Sequence, residues 1–263
     1  MGRTMTGSDL SHMDPVGRFT TRARDYAAAR PDYPRAAIDA ILEGLDTTRC
    51  VVVDAGAGTG IMTRQLAAQL RDRATVHALE PNPAMRAVLV AARLPRVQPR
   101  DAPAEGTGLP DRSADAVVCA CAFHWFRTGD ALREFARVLR PGGRLAIVSN
   151  ERDPAHGATR RLMGISARAS GGHPAETWAM ADPGALGLGL FTGHRLTVHA
   201  HAQRLDLRGL VARLRSASYI PAQGPAWDAA AAQLHALHAA FADARGLVTV
   251  RYLTPVLTMT RQA

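Results

Sequence analysis

The chain has 263 residues, and its 32 basic side chains outnumber 23 acidic ones for a formal charge of +9, yet every basic residue is arginine. With 47% hydrophobic and 21% charged residues it sits at the globular average, which excludes disordered, collagenous and disulfide-scaffold classes. The arginines are dispersed, with no run longer than Arg160-Arg161, so they do not form the clustered surface that tracks phosphates, and no nucleic-acid partner is expected.

In chain order, Met1 to Met13 has turn residues and no periodicity, and residues 1–33 read as an arm. Ile38, Ile41, Leu42 and Leu45 then mark one face of a helix. Cys50 to Val53 is a short strand running into Asp54 and a glycine cluster, and Thr59 to Arg71 returns to helical spacing. Thr75 to Leu79 is a second strand ending at Glu80; Pro83 opens a helix, and a weak strand lies near Arg96-Val97. Asp115 to Cys121 is another apolar run. A helix carrying Leu132, Phe135, Ala136 and Leu139 stops at Pro141-Gly142-Gly143, before a strand from Arg144 to Ser149. This alternation implies βαβ crossovers and a mostly parallel sheet over residues 34–149.

After Asn150 the rhythm changes. Ser166 to Gly189 is rich in Gly, Pro and Ala, and Leu196, Val198, Ala200 and Ala202 alternate with polar residues as in a half-exposed strand. Helical spacing returns at Leu207–Leu214 and Trp227–Phe241. Gly246 to Met259 alternates again, broken by Pro255, which suits a sheet edge or bulge. Residues 150–263 therefore read as cap elements plus the last two sheet strands.

Three cysteines, Cys50, Cys119 and Cys121, fit no disulfide framework and lie in or beside apolar runs, as expected of thiols in a reducing, cytoplasmic setting. Cys119, Cys121 and His124 are close in sequence, but no further Cys or His cluster completes a tetrahedral set, so no metal is expected. No apolar stretch reaches the ~18 residues of a membrane span, and no apolar leader segment is visible, so no membrane partner is expected.

The specific signal is Asp54-Ala55-Gly56-Ala57-Gly58-Thr59-Gly60. Glycine is required where a strand turns into a helix and a ligand approaches bare backbone. A dinucleotide fingerprint is G-x-G-x-x-G; here the spacing is G-x-G-x-G. An acid just before the loop crowds a pyrophosphate but draws a cationic amino group, favouring a zwitterionic ligand without phosphates. Glu80, 20 residues past Gly60, stands where a strand-end carboxylate can accept hydrogen bonds from both ribose hydroxyls.

This loop resembles motif I of the class I S-adenosylmethionine-dependent methyltransferases. Three further segments match in order: Glu80-Pro81-Asn82, Ala104-Glu105 through Asp115-Ala116-Val117-Val118, and Arg137 through Gly143. Arg30-Pro31-Asp32-Tyr33-Pro34, Phe123-His124-Trp125-Phe126 and Ser216-Ala217-Ser218-Tyr219 resemble a small-molecule branch of that family. The resemblance implies an α/β, Rossmann-like, doubly wound, mostly parallel seven-stranded sheet with a helical cap. It also implies S-adenosyl-L-methionine as cofactor, S-adenosyl-L-homocysteine as product, and a small-molecule acceptor methylated by a monomer or homodimer.

Carried over by position, the resemblance assigns the cofactor to Arg30, Asp54, Gly56, Ala57, Gly58, Gly60, Glu80, Pro81, Ala104, Glu105, Cys121 and Ala122. It assigns the acceptor to Tyr26, Tyr33, Trp125 and Tyr219. His124, after the fourth strand at the edge where open α/β sheets bind ligands, reads as a general base or as an aromatic-wall element beside Phe123, Trp125 and Phe126. Pro103 departs from the pattern, since this family often has a polar residue there toward the adenine amino group and proline offers none. Methyl transfer requires no covalent residue: a hydroxyl or carbon acceptor calls for a base, whereas a carboxylate calls for an arginine clamp. Two rival readings remain: an S-adenosylmethionine binder that does not methylate, and an NAD-dependent oxidoreductase. His199, His201, His235 and His238 are assigned no chemistry.

Overall fold

The computed structural model describes residue 10 and residues 23–174 and 189–262. Most of the expected N-terminal arm up to residue 22, and residues 175–188 of the Gly/Pro-rich stretch, lie outside the described residues.

The β-branched run after Cys50 forms β1 (Val51–Ala55), which lies between two parallel neighbours, β2 (Thr75–Leu79) and β4 (Ala114–Ala120). The short β3 (Val97–Arg100) pairs with β2, and β5 (Leu139–Val148) with β4, all parallel. A two-residue β6 (Glu151–Arg152) follows, then β7 (Phe191–Leu205) and β8 (Val248–Arg261), which run antiparallel to each other. The strand order is β3-β2-β1-β4-β5-β8-β6, with β7 also paired to β8. Apart from the two-residue β6, this is the expected seven-stranded, mostly parallel sheet.

Successive strand residues face opposite layers. Val52, Val76, Ala116 and Val118 meet Ile38 and Ile41 of α2 (Arg35–Leu42) and Met62 and Leu66 of α3 (Ile61–Ala67). Val53, Val117, Cys119 and Ile147 meet Leu132 and Phe135 of α5 (Thr128–Val138) on the other face. Cys119 and Cys121 are thus directed to different layers. Asn82 caps α4 (Pro83–Ala91) by accepting from the Met85 amide, with Pro83 at the first helical position.

A third core belongs to the cap. Here α6 (Gly157–Ala169), α7 (Leu207–Arg215) and α8 (Pro225–Phe241) pack on Val248, Val250 and Tyr252, the part of β8 that extends beyond β5.

Three expectations are corrected. The helix expected over Thr59 to Arg71 ends at Ala67, although Leu70 stays buried. Pro255 sits in an interior strand rather than at an edge: β8 lies between β5 and β7. Its carbonyl accepts from the Ser149 amide, at the gap where β5 has ended and β6 has not begun, so the missing N–H removes no ladder bond there. On β7 the expected faces are exchanged, with Leu196 and Val198 more than half exposed.

The polar face of β7 turns instead toward the arm helix α1 (Ala23–Ala29) and the segment after it. Gln203 donates to the Ala29 carbonyl, and Asn150, bonded to His201, donates to the Asp32 carbonyl. Carbonyls at a helix C-terminus lack intrahelical donors, and side chains from β7 and the β5–β6 junction supply them.

Candidate active site

A cleft of about 240 Å³ opens at the C-terminal ends of β1, β2 and β4, where open α/β sheets bind ligands. From the end of β1 and the loop after it the cleft takes Asp54, Gly56, Ala57 and Gly58; after β2, Glu80 and Pro81. Ala104 and Glu105 follow, then Cys121, Ala122 and Trp125 after β4, and Tyr26 and Tyr33 from the arm. Thirteen residues separated widely in the chain and expected to bind ligand are thereby brought to one cavity.

The loop owes its path to glycine at two positions. Gly56 has φ +71°, and a Cβ there would lie 2.6 Å from the Cβ of Ala122. Gly60, at φ +87°, precedes α3, and its Cβ would lie 2.6 Å from Leu89 Cδ1. Gly60 does not line the cleft among the described residues; its role is to let the loop pack on α4.

Glu80 is buried and its carboxylate is doubly anchored. Oε2 accepts from the Gly58 amide and Oε1 from the Asn82 amide, both at 2.8 Å. The glycine loop and the end of β2 are thus joined through one acid, and each oxygen keeps further acceptor capacity. Burial pushes the Glu80 pKa upward against those two amides.

Asp54, fully buried in the cleft wall, accepts from the Thr63 hydroxyl through Oδ2 at 2.5 Å. Its Oδ1 is buried with no hydrogen-bond partner among the described residues. Burial raises its pKa to about 7, the Thr63 bond acting in the opposite direction. An orphaned buried acceptor is costly, so Oδ1 is poised for a cation.

The remaining contacts hold the walls. Glu105 accepts from the Arg127 amide at 2.7 Å, tying the loop after β3 to that after β4. Tyr33 exchanges two backbone hydrogen bonds with the Gln65 side chain, so the arm is clamped to α3. Burial holds the Tyr33 phenol well above its ordinary value and raises that of Tyr26, keeping both protonated. Cys121 adopts a left-handed conformation at φ +52°.

Besides Gly60, three expected site residues do not line the cleft. Arg30 does not line the cleft among the described residues; its guanidinium stacks 4.8 Å from the centre of the Tyr26 ring. Tyr219 stacks on His173 at 4.9 Å and borders a small second cavity with Arg213. His124 packs on Trp125, with ring centres 4.7 Å apart, and burial followed by the nearby Arg30 charge lowers its pKa to about 3. A ring so reluctant to take a proton is a poor general base near neutral pH. Conversely, Met62, Met85 and Arg127 line the cleft without having been anticipated. Their only sequence signal is proximity to the motifs, because thioether side chains at helical spacing read equally well as core.

The His124 environment predicts a pH signature. The folded protein keeps the ring neutral while the unfolded chain protonates it below 6.5, so its contribution favours folding above pH 6.5 and is lost as pH falls toward 3. Asp54 acts oppositely between 3.8 and about 7, because there the folded state binds the extra proton. Comparing wild type with His124→Gln at each pH cancels that contribution. The variant should gain roughly 2 kcal/mol relative to wild type between pH ~7.5 and pH ~5 in urea unfolding; a pH-independent difference would refute the assignment.

Among the described residues, no group of three or more His, Cys, Asp or Glu side chains is placed to hold a metal ion.

A methyltransferase-domain family matches residues 53–147. An uncharacterized methyltransferase of Mycobacterium tuberculosis is 42% identical over 158 residues, covering 60% of this chain and 62% of the relative's length. A chain from Anaeromyxobacter dehalogenans, provisionally assigned as a type II methyltransferase, is 25% identical with a TM-score of 0.59, covering 89% of this chain and 97% of that one. The fold is also that of a Haemonchus contortus phosphoethanolamine N-methyltransferase solved with S-adenosylhomocysteine. That structure is 15% identical with a TM-score of 0.55 and aligns over all of this chain and 62% of its own. Residues 53–147 thus match a methyltransferase domain, and the ordered motifs and the parallel sheet with its reversed β8 are similar to those of class I S-adenosylmethionine-dependent methyltransferases.

Proposed function

We propose that the chain binds S-adenosylmethionine in the cleft after β1, β2 and β4 and directs its methyl group to a small-molecule acceptor by in-line displacement, with S-adenosylhomocysteine as product. The observation that carries this reading is the pair of acids on the glycine loop. Glu80 is held rigidly with acceptor capacity for a ribose diol, and Asp54 Oδ1 is a buried acceptor without a partner. A zwitterionic nucleoside supplies the donors both require, whereas a pyrophosphate would meet Asp54 as a like charge.

When bound, S-adenosylmethionine supplies an electrophilic methyl on a sulfonium that leaves as a neutral thioether. The chain's own task is placement and the exclusion of water. Asp54 pairs with the amino group and Glu80 holds the ribose. Ala104 and Glu105 border the base, with Pro103 contributing shape only. Tyr26 and Tyr33, protonated and clamped from the arm, close the cleft over the reacting end. Acceptor choice rests on the arm and cap, which enclose a small molecule rather than present a basic groove. No helix among the described residues is long and apolar enough to cross a membrane, and the three free thiols support a cytoplasmic setting.

Calorimetry tests this directly: S-adenosylhomocysteine should bind at one site per chain and NAD weakly or not at all. Tighter NAD binding would restore the oxidoreductase reading. Cofactor binding without turnover across amine, phenol, thiol and acid acceptors would favour a binder that does not methylate.

Asp54 adds a pH dependence. Below about 7 the empty site holds a proton that the amino group must displace. Affinity for S-adenosylhomocysteine should therefore rise by up to about ten-fold per pH unit from pH ~5 to ~7 and then level off. Asp54→Asn should flatten that profile.

A further inference from the structure

Arg213 and Arg30 carry positive charge that no acid among the described residues answers with an ion pair. Arg213, at the end of α7, is only 8% exposed, yet its hydrogen bonds go to neutral groups, the Tyr252 hydroxyl at 3.2 Å and Ser216 Oγ at 3.3 Å. Arg30, just after α1, donates to the Ser216 carbonyl at 3.4 Å, and its Nε is buried without a partner. Neither guanidinium forms an ion pair with a described residue, whereas Arg137 reaches Glu134 and Asp111, and Arg86 reaches Asp101. Burying a cation without a counter-charge is expensive; the buried Arg213 and the half-buried Arg30 converge on one serine and form a site for an anion.

The position of the pair says what the anion belongs to. Ser216 joins the arm to the cap through both arginines. Tyr26, the ring under Arg30, is itself a wall of the cleft, and Arg213 borders the small second cavity with Tyr219. Both charges act on Tyr26, so the pair stands beside the cleft at that wall.

We propose that Arg30 and Arg213 form a two-guanidinium clamp for the acceptor, and that the acceptor is a small carboxylic acid methylated on a carboxylate oxygen. This rests on the methyltransferase reading above and names its substrate class. Guanidinium forks match the two oxygens of a carboxylate and leave the second lone pair of one oxygen available. That oxygen supplies the electron pair of the new O–C bond while the S–C pair stays on sulfur. The carboxylate and sulfonium charges disappear together, and no proton is released. The surrounding groups suit this chemistry, because His124 and the two tyrosines are all held in states that do not accept a proton near pH 7.

The test uses the full chain saturated with S-adenosylhomocysteine, titrated in a calorimeter with succinate, benzoate, their methyl esters and inorganic phosphate. The acids should bind saturably and the esters should not. Arg30→Gln and Arg213→Lys should each weaken acid binding about ten-fold or more while leaving the S-adenosylhomocysteine dissociation constant unchanged; if the buried Arg213 variant fails to fold, Arg30→Gln carries the comparison. With methyl-labelled S-adenosylmethionine and the acids, label should be recoverable as methanol after mild alkaline hydrolysis, the mark of an ester. Esters binding as well as acids, no acid binding, phosphate binding more tightly, or label in an alkali-stable product would each overturn the proposal. If Arg30→Gln weakens S-adenosylhomocysteine instead, the pair serves the cofactor's own carboxylate and the proposal fails. Failure of the wild-type chain to bind S-adenosylhomocysteine would overturn the underlying reading as well, and is seen in the first titration.

Discussion

Glu80→Ala is expected to weaken S-adenosylhomocysteine binding about a hundred-fold or more. The carboxylate sits at the junction of two backbone amides, Gly58 and Asn82, each 2.8 Å away. Its remaining acceptor positions are assigned to two ribose hydroxyls. Hydrogen bonds to a charged partner contribute about 1.5–3 kcal/mol each, so losing two costs at least ~3 kcal/mol, and about 1.4 kcal/mol is ten-fold. Removing the acid also strands the Gly58 amide and releases the loop from β2, adding to the loss. Glu80→Gln retains the shape but turns an amide N–H₂ toward one of the two backbone donors, so it should be only partly better. Calorimetry on variants whose circular dichroism matches wild type decides the matter: an unchanged dissociation constant would remove Glu80 from the ribose.

Gly56→Ala is expected to damage both fold and site. At φ +71° an L side chain costs roughly 1–2 kcal/mol. The new Cβ would lie 2.6 Å from Ala122 Cβ and 3.1 Å from the Phe126 ring, and such overpacking costs roughly 1–3 kcal/mol. Ala122 is fixed at the end of β4 and cannot yield as the tip of a long side chain would. The glycine loop must then move, and both walls of the cleft move with it. Gly142→Ala is the matched control: its φ is +76° but nothing lies within 4 Å. Gly56→Ala should melt several degrees below Gly142→Ala and lose measurable S-adenosylhomocysteine binding. Equal melting temperatures would show that the contact with Ala122 is not tight.

The cofactor half of the protein is legible in the sequence because its determinants are local. A β-branched run ending in Asp54, alternating glycines and an acid at the end of the next strand each describe one strand-to-helix turn. Parallel βαβ topology then brings such turns to one edge without further instruction. Glu80 and Asp54 were identifiable on those grounds alone. The sequence also carried the helix starts, as at Asn82-Pro83, where capping is a matter of neighbours in the chain.

What the sequence did not contain is the set of contacts made across long separations. Thr63 leaves one Asp54 oxygen bare and occupies the other, which fixes where a cation is wanted. Pro255 is admitted to an interior strand because the strand beside it ends at that point. The alternation of β7 was visible, but which face turns inward depended on the arm, whose carbonyls draw Gln203 and Asn150. His124 looked like a base beside aromatic residues; burial and the approach of Arg30 from the arm make it a poor one. Arg30 and Arg213 lie 183 positions apart, and nothing in either neighbourhood marks them as a pair. The sequence by itself thus determined the sheet, the glycine loop and the acids that serve it, since each depends on residues a few positions apart. Tertiary structure decided the protonation states and the unanswered charges, because desolvation and Coulomb energy depend on what surrounds a group in space.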